Sequence, residues 1–79
     1  MTRPVYMIAG EIRRDWSKIG KGVNYAAKPY LDAMATLVTA ADHYGLDSGA
    51  SIIAYGLGNM GSYRGETARR LKAELKALI

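Results

Sequence analysis

Cysteine is missing from all 79 residues, so neither a disulfide nor a thiolate metal site can brace this chain, and the pattern fits a reducing compartment. Phenylalanine is missing as well, and histidine and tryptophan occur once each. Acid/base or nucleophilic schemes would therefore have to use His43, whose neighbour Asp42 lies about 100° round a helix and is badly placed to orient it. A metal site needs at least three ligands, and one histidine with scattered aspartates does not supply them. No apolar run approaches the roughly 18 residues of a membrane span. Val5–Gly10 is too short for a signal-peptide core before Glu11 and Asp15 interrupt it. The expectation is a soluble, unprocessed chain with no membrane partner, no cofactor and no small-molecule substrate.

What is present is enough for one small domain over residues 1–79, with 49% apolar residues and a net charge of +4. At this length core burial barely offsets chain entropy, which leaves close helix packing or association with a partner as the sources of stability. Charge is unevenly distributed. Residues 1–28 carry six basic and two acidic side chains, residues 29–61 carry three aspartates and no lysine or arginine, and residues 62–79 carry five basic against two acidic.

Helical periodicity dominates. Val5, Ile8, Ala9, Ile12 and Trp16 fall on one arc, which predicts a helix from Pro4 to Trp16 with Thr2 capping its first turn. Ser17–Asn24, with Gly20, Gly22, Lys18 and Lys21, has no period and reads as a mobile basic loop. Pro29 opens a second helix in which Tyr30, Met34, Leu37, Val38, Ala41 and Tyr44 share a face. Gly45 is expected to end it in the left-handed conformation, with Leu46 making the apolar contact of such a cap. Asp47 or Ser48 can cap a third segment, Gly49–Met60. It is almost wholly apolar and is read as a helix whose glycines admit a close neighbour, with a buried strand as the competitor. After Gly61 and Ser62, a last helix to the C-terminus carries Ala68, Leu71, Leu75 and Leu78 on one side and Arg69, Lys72 and Lys76 on the other. Pairs Glu66–Arg70 and Arg70–Glu74 stand four apart. The expected fold is all-α, a compact array of four short helices.

Gly56-Leu57-Gly58-Asn59-Met60-Gly61 is a literal G-x-G-x-x-G, yet a dinucleotide fold needs a second parallel strand with an acidic residue about 20 positions on, and one helix is all that follows. The glycines read instead as a helix end. Gly20-Lys21-Gly22 lacks the spacing of a phosphate-binding loop. Two features point to macromolecular binding. Six tyrosines with no phenylalanine present apolar bodies with polar edges. Tyr6, Met7, Ile19, Val23, Tyr25, Tyr55 and Tyr63 also fall outside the predicted buried stripes or in breaks. The expected protein-contact surface is Tyr55, Tyr63, Arg64, Glu66, Arg69 and Arg70, facing a protein partner or a second copy, with arginines fixing register on acidic groups. The alternative is a nucleic-acid surface made of Arg64, Arg69, Arg70, Lys72 and Lys76 in a helix-turn-helix-like order.

Asn24–Met34 and Tyr63–Leu75, with Tyr44–Ile52 between them, resemble a family of small proteins encoded by actinobacteriophages, mycobacteriophages among them. The similarity spans most of residues 8–78. Tyr63 stands where the family usually has tryptophan, Gly56 where an aromatic is expected, and the Gly20-Lys21-Gly22 loop is extra. The resemblance implies phage origin and action in the cytoplasm of a bacterial host, and it carries over no catalytic residue.

Overall fold

A computed structural model describes residues 2–79, which form four helices and a two-stranded antiparallel sheet. The first helix, α1 (Val5–Trp16), buries Val5, Ile8, Ala9, Ile12 and Trp16, the arc expected from their spacing. Thr2 does not cap it. The amides of Val5 and Tyr6 instead donate to the carbonyls of Val38 and Leu37, both at 2.9 Å, so the helix start is satisfied by backbone from a distant segment.

That segment explains the largest departure from expectation. The second helix, α2 (Lys28–Met34), keeps Pro29 in its first turn but stops a full ten residues before Tyr44. Beyond Met34 the backbone serves other partners. Leu37 and Val38 carbonyls accept from α1, while those of Ala40 and Asp42 accept from Ala50 and Gly49 at 2.9 and 2.6 Å. The Asp42 carboxylate accepts from the amides of Val38 and Thr39 at 2.9 and 3.0 Å, which lowers its pKa, the Thr39 amide contributing most. Thr36 Oγ1 donates to the Ala33 carbonyl. β-branched Thr36, Val38 and Thr39 gain little from helix, so the competing bonds win. Val38 and Tyr44, expected inside, are half exposed.

His43–Tyr44 (β1) and Asp47–Ser48 (β2) pair in a hairpin with Tyr44 opposite Asp47. The all-α expectation is thereby corrected to a mostly helical fold with a small antiparallel sheet. Gly45 does adopt the left-handed conformation (φ 63°), but as the first residue of a two-residue hairpin turn, the position where such turns favour glycine. Leu46 makes no cap contact and is fully exposed.

Ser48 caps α3 (Gly49–Gly58), its hydroxyl accepting from the Ser51 amide at 3.1 Å, which settles helix over strand for most of the apolar segment. Gly56 lies against Met34 and Tyr30 of α2, and an added Cβ would collide with the Met34 methyl, so close approach accounts for this glycine. Gly58 has nothing within 4 Å of a Cβ position and ordinary φ. Gly58→Ala is therefore expected to stabilise the protein by about 0.5–1 kcal/mol through lower unfolded-state entropy, read as a higher urea midpoint. Residues Gly56–Gly61 form the end of α3 and the turn after it, not a strand-to-helix phosphate loop.

The last helix, α4 (Glu66–Lys76), begins three residues later than expected and buries Ala68, Leu71 and Leu75. It lies antiparallel to α1, since Arg3 meets Glu74 and Arg70 meets Glu11. All helices share one core that includes Ile12, Trp16, Leu31, Met34, Ile53, Tyr63 and Leu71. No helix of the described residues is long and apolar enough to cross a membrane.

Candidate functional site

The expected contact residues do not form one surface. Tyr63 is fully buried, a correction to its expected place in a contact face: its ring stacks on Trp16 with centroids 4.9 Å apart, and its hydroxyl donates to Asp15 at 2.7 Å. Burial, then the hydrogen bond to Asp15, pushes the phenol pKa well above its ordinary value of 10.0. Tyr55 is exposed on α3 beside Tyr30, ring centroids 6.3 Å apart, away from the grooves described below. Arg70 reaches Glu11 at 2.6 Å and so ties α4 to α1. Lys72 is withdrawn too: Nζ donates to the carbonyls of Met60 and Tyr63 at 3.1 and 2.6 Å and sits 5.8 Å from the Tyr63 ring centroid. The expected Glu66–Arg70 and Arg70–Glu74 pairs do not form, because Arg70 bonds Glu11 of α1 and Glu74 bonds Arg3 instead.

Those partners make a charged clasp. Arg3 binds Glu74 through two nitrogens at 2.7 and 2.6 Å and reaches Glu11 at 2.8 Å, and Arg70 closes the chain on the other Glu11 oxygen. The Arg70 and Arg3 bonds hold the Glu11 carboxyl below its ordinary value of 4.5, and the Arg3 bond does the same for Glu74. A depressed carboxyl contributes stability that is complete above the unfolded-state value and is lost as pH falls through the folded one. Stability is expected to decline below about pH 4.5, and Arg3→Gln to flatten that decline, measured by urea titration between neutral and acid pH.

Arginines 3, 13 and 70 pair with Glu11, Glu74 and Asp32, Lys72 caps carbonyls, Asp15 holds Tyr63 and Asp42 holds backbone amides. Arg14, Lys18, Lys21, Lys28, Arg64, Arg69 and Lys76 keep no carboxylate partner among the described residues, and Asp47 and Glu66 keep no basic one. Two of the three aspartates in the acidic middle, Asp32 and Asp42, are thus engaged in intramolecular bonds, and the surplus positive charge faces solvent.

Part of that surplus gathers at one end. The antiparallel packing of α1 and α4, with Trp16 stacked on Tyr63, brings the turns after Trp16 beside Ser62. Between them runs a groove of about 690 Å³ lined by Trp16, Ile19, Lys21, Val23, Tyr25 and Ser62, with glycines in its wall. The next residues of the α3–α4 connection border a smaller groove of about 240 Å³, lined by Tyr63, Arg64, Gly65, Arg69 and Lys72. Arg64 spends one nitrogen on the Gly61 carbonyl at 3.2 Å, leaving most of its donors to solvent. Tyr25 stands 88% exposed at the rim, and Ile19 is exposed as well. Comparison with known protein families, curated proteins and solved structures finds no match.

Of the expected contact residues, Arg64 and Arg69 share this end, with Glu66 exposed on the first turn of α4. The contact surface expected from the sequence lacks Ile19, Lys21 and Tyr25. A signal was present: large apolar side chains mixed with lysines in a glycine-containing stretch without period, where no local element can bury them. His43 lies exposed on the hairpin, and no group of three or more His, Asp or Glu among the described residues is arranged to hold a metal ion.

Proposed function

We propose that this chain is a non-enzymatic accessory protein, encoded by a phage and acting in the cytoplasm of its bacterial host, that binds an acidic macromolecular partner. The partner is a host or phage protein. One observation carries this reading: after internal pairing, Lys21, Arg64 and Arg69 remain without carboxylates around exposed apolar side chains at one end of the molecule. Basic side chains flanking apolar area supply both register and buried surface for a protein contact. Arg64→Glu with Arg69→Glu is expected to reduce capture of the partner from host lysate by at least tenfold, about 1.4 kcal/mol, with the helical circular dichroism unchanged. Undiminished capture would remove this end from consideration.

The nucleic-acid reading keeps Arg64, Arg69 and Lys76 but loses Arg70 and Lys72 to internal bonds. A helix so depleted makes few phosphate contacts, so a mobility-shift assay on mixed DNA at two ionic strengths should give weak retention with a shallow salt slope. A steep slope would favour nucleic acid.

A further inference from the structure

We infer that the groove over Trp16 receives a large apolar side chain carried on an acidic, extended segment of the protein partner. This inference rests on the proposed protein-binding function. Trp16, Ile19, Val23 and Tyr25 make the walls mainly apolar, and about 690 Å³ falls in the range of pockets that bury small ligands, room for an anchor side chain together with the stretch of backbone that carries it. Trp16 is itself 2% exposed, so an occupant touches a rigid core residue rather than a mobile tip. A contact of this kind is one that a short segment can anchor with a single residue.

Charge names the rest of the occupant. Lys21 lies in the wall, and Arg64 and Arg69 border the smaller groove on the far side of the Trp16–Tyr63 stack, each without a carboxylate partner. A carboxylate beside the anchor would meet Lys21, and others farther along an extended segment would meet the two arginines. A second copy of this chain fits worse: a two-fold contact sets these cations against themselves, and with Asp32 and Asp42 engaged internally only Asp47 and Glu66 are left among the described residues to answer seven unpaired cations. A single-stranded nucleic acid fits worse too, because Ile19 and Val23 offer no ring for base stacking and Tyr25 is the one exposed ring in the wall.

The test uses the intact protein and three fluorescein-labelled probes: a short peptide of aspartate and glutamate around two leucines, the same peptide with serine for leucine, and an oligothymidylate of equal length. The leucine peptide is expected to bind at least about tenfold more tightly than the serine peptide. It should also shift the emission of Trp16, the one tryptophan in the chain. Ile19→Glu and Tyr25→Ala, both at exposed positions, should erase the leucine advantage while leaving circular dichroism unchanged. Arg64→Glu with Arg69→Glu should weaken both peptides. Equal binding of the two peptides would overturn the apolar-anchor inference and leave the acidic-partner reading standing. Binding of oligothymidylate alone would overturn both, and binding of no probe would overturn the inference.

Discussion

Tyr63→Ala is expected to cost about 3–5 kcal/mol, because it deletes a fully buried ring from a core whose one other buried aromatic among the described residues is Trp16. Three contacts go together: the stack on Trp16, the hydrogen bond to Asp15, and the ring beneath the Lys72 ammonium. A chain of this size commands on the order of 4–12 kcal/mol in total, so the variant should lose roughly 15–30 °C in thermal midpoint and sit near unfolding at 37 °C. Tyr63→Phe separates the ring from its hydroxyl and is expected to cost only about 1 kcal/mol. The phenylalanine variant also has a pH signature. Burial holds the Tyr63 phenol above its ordinary 10.0, so the neutral ring contributes in full below pH 10 and that contribution is lost as pH rises toward the folded-state value. Wild-type stability should therefore fall above pH 10 by up to about 1.4 kcal/mol per unit from this group, and Tyr63→Phe should lack that component. Equal alkaline slopes for the two proteins would show that Tyr63 ionises as readily folded as unfolded.

Gly49→Ala is the second large effect. A Cβ at Gly49 would stand 2.9 Å from the carbonyl oxygens of both Thr39 and Ala40, and those atoms are backbone. The collision has no cheap escape, since the Gly49 amide holds the Asp42 carbonyl at 2.6 Å and the Ala50 amide holds that of Ala40 at 2.9 Å. Moving α3 away breaks bonds that satisfy its own first turn. The combined cost is about 2–4 kcal/mol, from overpacking plus one or two weakened hydrogen bonds. Gly56→Ala supplies the comparison. Its obstruction is chiefly the methyl end of Met34, which can rotate, and alanine returns about 1 kcal/mol of helix propensity. Gly49→Ala should unfold at clearly lower urea than Gly56→Ala, and the reverse order would mean that the 39–42 turn yields more easily than a methionine tip.

The candidate site was only half legible in the sequence for a related reason. Arg64 and Arg69 stand out as cations near a helix start, but Arg70 and Lys72 look the same in a linear reading. What separates them is where Glu11 and the Met60 and Tyr63 carbonyls come to lie. Lys21 and Tyr25 join Ser62 in one groove through the antiparallel contact of α1 with α4, which no sequence window contains.

The sequence by itself determined α1, the apolar stripe of α4 and the left-handed residue at Gly45, and it narrowed the cap of α3 to Asp47 or Ser48. Each follows from interactions within about one turn of chain, where apolar spacing and capping chemistry act alone. Only the tertiary structure decided that α2 stops at Met34, that a hairpin follows, and that Tyr63 turns inward. The periodicity from Tyr30 to Tyr44 is real, but the carbonyls of Leu37, Val38, Ala40 and Asp42 are claimed by the starts of α1 and α3. A carbonyl aimed at a distant helix end is turned away from the amide four residues on in its own segment, and helix spacing in the sequence carries no record of that competition.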